Sequence, residues 1–249
     1  MNSLKKHIVS AACVDSLESL IHCCQDYFVA FYNLTKIEHK ATDFLLDNSK
    51  RDFDDLFSYG KMGCLWVDMH GEKATEPTVD IKIGFHSHVY DVFEQMLDMP
   101  NLTPKKSLPI NMDNLSAALV VAEEVSHFVY TSHRLMHNTA ISMFDLELQA
   151  EFDKILFITH RLNLETGDPH WLPILRQCYD NVRFLEQGKN SLYGDVHAIA
   201  ARFWFRASES FGTRWLPGKD PKFNEKLRGI WNASGNQKIV TLNNAQSVF

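Results

Sequence analysis

The stretch VVAEEVSHFVY, residues 120–130, decides the fold because it sets charged side chains within an apolar run. Glu123 and Glu124 precede His127 by four and three residues, so on a helix these side chains lie on one side. Carboxylates among valines and Phe128 are costly to bury unless they are ligated or hydrogen-bonded. The stretch therefore predicts a helix with a polar site, which either binds a metal or pairs its polar groups locally.

A second acidic helix is predicted in SMFDLELQAEFDKILFITHRL, residues 142–162. Glu147 and Glu151 are four residues apart and therefore share one face of this helix. A short loop near residues 137–140 joins the two helices. Their acidic faces are therefore expected to meet.

The remaining chain predicts an α+β fold that is mostly helical. Apolar residues at spacings of three and four predict one or two helices within residues 10–47. Two β-prone runs, residues 63–69 and 78–84, predict a hairpin or two adjacent strands. Further helical patterns occur at residues 86–99, 170–186 and 192–211.

These patterns predict one mainly helical domain over residues 1–211, with a small sheet at about residues 60–85. The small sheet precedes the helix that carries Glu123 and His127. Residues 212–249 are rich in glycine, proline and asparagine, which predicts an irregular C-terminal tail.

Composition excludes several kinds of partner. The net charge of −6 over 249 residues provides no basic surface for nucleic acid. No apolar run is long enough to span a membrane, and the N-terminal residues predict no signal peptide. The five cysteines are scattered and contain no CxxC pair, which favours reduced thiols and a cytoplasmic location. The sequence leaves the oligomeric state open.

The two acidic helices resemble those of gluzincin-type zinc metallopeptidases, in particular the bacterial neutral zinc metallopeptidases. VVAEEVSHFV, residues 120–129, is similar to the HExxH helix of that family, in which two histidines bind zinc. LELQAEFDKILF, residues 146–157, is similar to the following helix, which supplies a glutamate ligand. The resemblance implies a zincin-like core with a small β-sheet before the EExxH helix.

The resemblance also implies roles for individual residues. His127 matches the second zinc-binding histidine, Glu124 the general base and Glu147 the third ligand, while Glu151 stands where the family has an acid behind the ligands. Glu123 departs from the pattern because it replaces the first histidine. A Glu123/His127/Glu147 site is rich in oxygen and would take zinc, or else manganese or iron. The alternative is a metal-free relic in which carboxylates hold His127.

Tyr193 and His197 are four residues apart in SLYGDVHAIAARFWF and share a face if the segment is helical. In zincins a downstream tyrosine or histidine donates a hydrogen bond to the oxyanion of the reaction intermediate. The resemblance makes both residues candidates for that role. The alternative is a polar pair that is satisfied locally within the fold.

Three functions follow from these observations. The leading hypothesis is a divergent metallopeptidase that is weakly active or no longer catalytic. The second is a non-catalytic module on the same fold that binds a peptide or protein along an edge strand. The third is a helical non-haem iron protein, although the sequence lacks the second Glu-x-x-His that such bundles use.

Overall fold

The computed structural model describes residues 16–34, 37–46, 62–70, 78–97, 114–166, 175–176, 178–179, 192–211 and 220–246. Its helices are α1 (Leu17–Phe31), α2 (Ser87–Leu97), α3 (Leu115–Met136), α4 (Met143–Thr166), α5 (Leu192–Phe211), α6 (Pro221–Asn232) and α7 (Gly235–Gln246), with a 3-10 helix at Ala41–Phe44. The strands β1 (Gly63–His70) and β2 (Thr78–Phe85) form one antiparallel sheet. The mostly helical α+β class is therefore confirmed. The predicted helix at residues 170–186 lies largely outside the described residues.

Helices α3 and α4 form the centre of the fold. The apolar face of α3 includes Val121, Val125 and Phe128, each with no exposed surface. Leu148 and Ile155 of α4 are buried to the same degree. A loop after Met136 contains Asn138 at a positive φ of 50°, and this left-handed residue helps the chain reverse direction into α4.

A buried carboxylate joins α1, α3 and α4. Asp153 of α4 is fully buried and accepts hydrogen bonds from the Ser126 hydroxyl of α3 (2.6 Å) and the Gln149 amide (2.9 Å). The Tyr32 hydroxyl, at the end of α1, also donates to Asp153. These donors partly replace the water that the carboxylate loses on burial.

The sheet packs on the helices through one face. Ile83 and Phe85 of β2 are buried, whereas the far end of the strand is exposed. The backbone N–H of Leu46 donates to the Ile83 carbonyl at 2.8 Å, so the chain near Leu45 covers part of the outer edge of β2. Strand β1 lies on the other side of β2 and contacts α3.

The prediction of an irregular tail over residues 212–249 is wrong, because the segment contains α6 and α7. Asp220 caps α6 by accepting hydrogen bonds from the backbone of Lys222 and Phe223, and Pro221 occupies the first helical turn. Phe223, Leu227, Ile230 and Trp231 then bury one side of α6. The many glycine and asparagine residues obscured this capped, amphipathic pattern.

Buried polar contacts dock α6 and α7 against the end of α3 and the start of α4. The Arg134 guanidinium donates to the carbonyls of Trp231 (2.8 Å) and Ala233 (3.0 Å). Asp145 accepts a hydrogen bond from the backbone N–H of Gly235 at 2.9 Å. The fully buried Lys238 ammonium donates to the Asp145 carbonyl and to Gln149 Oε1, both at 3.2 Å.

Every helix in the part of the chain that the structure describes is too short or too polar to cross a lipid bilayer.

We expect the substitution Asp153→Asn to remove one pH-dependent contribution to folding stability. Burial raises the pKa of Asp153 from 3.8 to about 6, although its hydrogen bonds oppose the shift. Between these values the folded protein holds a proton that the unfolded chain has lost, so this contribution falls as pH rises. As pH rises between these two values, the free energy of unfolding of wild type should therefore fall by about 3 kcal/mol relative to that of Asp153→Asn, at about 1.4 kcal/mol per pKa unit.

Urea unfolding of both proteins from about pH 4 to pH 7 measures this difference. Asp195→Asn is the matched control, because it removes a carboxylate on the exposed side of α5. A constant stability difference between wild type and Asp153→Asn would contradict the expected burial cost.

Candidate functional site

A cavity of about 590 Å³ opens between β1 and the helices α3 and α4. Its floor contains the predicted site residues Glu123, Glu124 and His127 of α3 and Glu147 of α4. One wall is formed by the consecutive residues 62–67 at the start of β1. The structure therefore brings the two acidic helix faces together, as expected, and sets a strand beside them.

His127 lies between two carboxylates. Its Nδ1 atom is 3.4 Å from Glu124 Oε2, and its Nε2 atom is 3.5 Å from Glu147 Oε2. All three residues are more than nine-tenths buried. Burial would lower the pKa of His127, but the two carboxylates raise it to about 10. Burial also raises the pKa of Glu124, although His127 opposes that shift.

Glu123 forms a separate cluster around a lysine that the sequence analysis missed. The Lys154 ammonium lies 3.1 Å from Glu123 Oε2 and 2.5 Å from Glu151 Oε1. Burial opposes the charge on Lys154, but the attraction of both carboxylates raises its pKa. Burial would raise the pKa of Glu151, but Lys154 and His197 lower it to about 2. A helical spacing of three between Glu151 and Lys154 was the available signal.

The three residues predicted as metal ligands are therefore divided between two clusters. His127 and Glu147 face each other, whereas a Glu123 oxygen is bound to Lys154. Among the residues that the structure describes, no group of three or more histidine, cysteine, aspartate or glutamate side chains is arranged to hold a metal ion. The donor set as arranged does not fit the zinc, manganese or iron site that the resemblance implies.

Tyr193 and His197 take different positions although both belong to α5. Tyr193 lines the cavity and is 42% exposed, so it can contact a molecule bound there. His197 is buried, and its Nδ1 atom is 3.4 Å from Glu151 Oε2. His197 therefore supports the lysine-centred cluster, and only Tyr193 reaches the cavity.

Gly63 sets the distance between β1 and α3. A Cβ atom at this position would lie 2.7 Å from Glu124 Cγ and 2.8 Å from Val120 Cγ1, both closer than real contacts allow. Glycine is thus required for the strand to approach the helix that carries Glu124 and His127.

The outer edge of β1 faces the cavity. Side chains alternate between the two faces of a strand, so a cavity lined by six consecutive residues, 62–67, follows the edge of the strand. Within the described residues β1 pairs only with β2. Its other edge therefore presents backbone groups to the cavity.

The register identifies the residues whose backbone groups are directed toward the cavity. The His86 N–H donates to the Met62 carbonyl at 2.9 Å, so Met62 and His86 form a hydrogen-bonded pair. Such pairs alternate with non-bonded ones in an antiparallel ladder. Gly63, Leu65 and Val67 therefore direct their N–H and C=O groups away from β2.

No family model matches the chain, and neither a curated protein nor a solved structure matches it.

We expect Gly63→Ala to destabilise the protein by about 1–3 kcal/mol, because the added methyl group must displace Glu124, Val120 or the strand. Urea unfolding measures the change. Gly229→Ala is the control, since its Cβ would meet only Thr241 Cγ2 at 3.9 Å and alanine favours helix α6. Equal stabilisation by both substitutions would show that β1 does not pack closely against Glu124.

Proposed function

We propose that the chain is a zincin-like protein that binds an extended segment of another protein along β1 and does not hydrolyse it. The observation that carries this proposal is the outer edge of β1, which lies beside the floor of the cavity. Extended peptides bind such edges through main-chain hydrogen bonds, and adjacent pockets select their side chains.

The backbone of β1 offers the required hydrogen-bonding groups. Leu65 and Val67 direct their N–H and C=O groups toward the cavity, with Gly63 at the end nearest α3. A segment paired with these groups would lie over the helix that carries Glu124 and His127. Its side chains would alternate between the cavity floor and solvent.

The charges of the floor favour a basic segment. The carboxylates that line the cavity are Glu123, Glu124 and Glu147, and His127 lies among them as a cation. The positive charge of Lys154 offsets part of the negative charge at Glu123, and that of His127 offsets the charge of one of the other two carboxylates. Because Glu151 shares Lys154 with Glu123, negative charge remains beside the strand, and a lysine or arginine side chain is the complementary group.

Binding without hydrolysis is favoured by the state of Glu123. Where the resemblance implies a metal ligand, the chain has a carboxylate held by Lys154. Glu124, which matches the general base, is paired with His127 at 3.4 Å. The polar groups of the floor are thus largely paired with one another, and the strand edge supplies the main-chain groups that contact a partner.

We expect Val67→Pro to weaken peptide binding about tenfold, because proline removes one outward N–H donor and leaves the β1–β2 ladder intact. Peptides selected from a phage-displayed library of random linear sequences supply the ligand, and isothermal titration calorimetry measures the affinity. Val67→Thr keeps the N–H and serves as the control. Selected peptides should be enriched in lysine and arginine. Equal binding by Val67→Pro would place the partner elsewhere.

A weakly active metallopeptidase is the second candidate, and the facing atoms His127 Nε2 and Glu147 Oε2 favour it. On the first proposal, wild type with added zinc or manganese should not cleave casein faster than Glu124→Gln does. Fluorescence of dye-labelled casein measures cleavage. Hydrolysis that is abolished by Glu124→Gln would overturn the non-catalytic proposal in favour of this one.

A further inference from the structure

The Lys154 ammonium lies between a carboxylate of α3 and a carboxylate of α4. It lies 3.1 Å from a Glu123 oxygen across the α3–α4 interface and 2.5 Å from a Glu151 oxygen on its own helix. The side chain of Lys154 is 12% exposed and that of Glu151 14%, whereas the Glu123 side chain is 32% exposed. A charge-assisted pair that is partly shielded from solvent is stronger than a fully exposed one.

The neighbouring cluster already has half of a metal site. His127 lines the cavity, and its Nε2 atom is buried and forms no hydrogen bond. This atom lies 3.5 Å from Glu147 Oε2. Two ligand atoms held at about 2.0–2.2 Å by one tetrahedral zinc ion lie about 3.4 Å apart. The spacing of these two atoms therefore suits a shared ion.

The third donor is engaged elsewhere. Glu123 is four residues before His127 and belongs to the same floor of the cavity, but its carboxylate is bound to Lys154. A metal ion would have to displace this ammonium to recruit Glu123. With two donors instead of three, divalent binding is weak, because structural and catalytic zinc sites use at least three protein ligands.

We propose that Lys154 is a built-in cation that closes a latent divalent-metal site made of Glu123, His127 and Glu147. Removing the lysine charge frees Glu123 to join the facing His127 and Glu147. The chain thereby gains zinc binding through the loss of Lys154, a side chain that is paired with neither His127 nor Glu147. This inference does not depend on peptide binding along β1.

The decisive variant is Lys154→Gln, with Lys154→Arg as the control that keeps the charge. Each protein is dialysed against zinc chloride and then against metal-free buffer, and the retained zinc is measured by inductively coupled plasma mass spectrometry. Wild type and Lys154→Arg should retain little zinc, whereas Lys154→Gln should retain near-stoichiometric zinc. Adding His127→Ala to Lys154→Gln should abolish the gain, because it removes the only nitrogen ligand.

A second variant covers the case in which Lys154→Gln does not fold, since it leaves Glu123 and Glu151 facing each other. The pair Lys154→Gln/Glu151→Gln removes one carboxylate with the lysine and leaves all three proposed ligands in place. Circular dichroism identifies the variants that are folded. Little zinc in a folded variant that lacks the lysine charge would overturn the proposal. So would near-stoichiometric zinc in wild type, because Lys154 would then not close the site.

Discussion

The pairing of charges across the interface of α3 and α4 is the constraint on which the structure depends. Both helices carry carboxylates on the faces they bury, and unpaired buried carboxylates would prevent close packing. Lys154 joins Glu123 to Glu151, and His127 lies between Glu124 and Glu147. Each cluster includes one contact between the helices, Lys154 to Glu123 in one and His127 to Glu147 in the other, so both clusters depend on the packing of α3 against α4.

The same pairing limits the chemistry of the site but leaves the edge of β1 unaffected. A peptidase site must keep its groups available for a metal, water and substrate, whereas these groups are largely occupied by one another. The edge of β1 is not constrained in this way, since its outward N–H and C=O groups have no strand partner in the described part of the chain. The proposed main-chain recognition therefore depends little on the side chains beneath the strand.

Local patterns predicted much of the fold. Helical periodicity predicted helices where α3 and α4 lie, and alternating β-prone residues predicted the two strands of the sheet. The meeting of Glu124, His127 and Glu147 was also predictable, because their spacings fix one face on each helix. The partner of Glu123 was not, since a lysine that reaches across an interface leaves no local signature. Docking of the C-terminal helices depends on distant residues such as Arg134, which explains the failure to predict α6 and α7.

The docking of α7 also has a consequence for how far the chain can be shortened. Asp145 holds the Gly235 N–H and Gln149 holds Lys238, and these two α4 residues flank Glu147. Cleavage before Asp220 would remove these partners and those of Arg134, and would expose the surface that α6 and α7 cover. Helices α6 and α7 thus help to hold α4, which carries part of the cavity floor. A protease that removed them would change the cavity on the opposite side of α4.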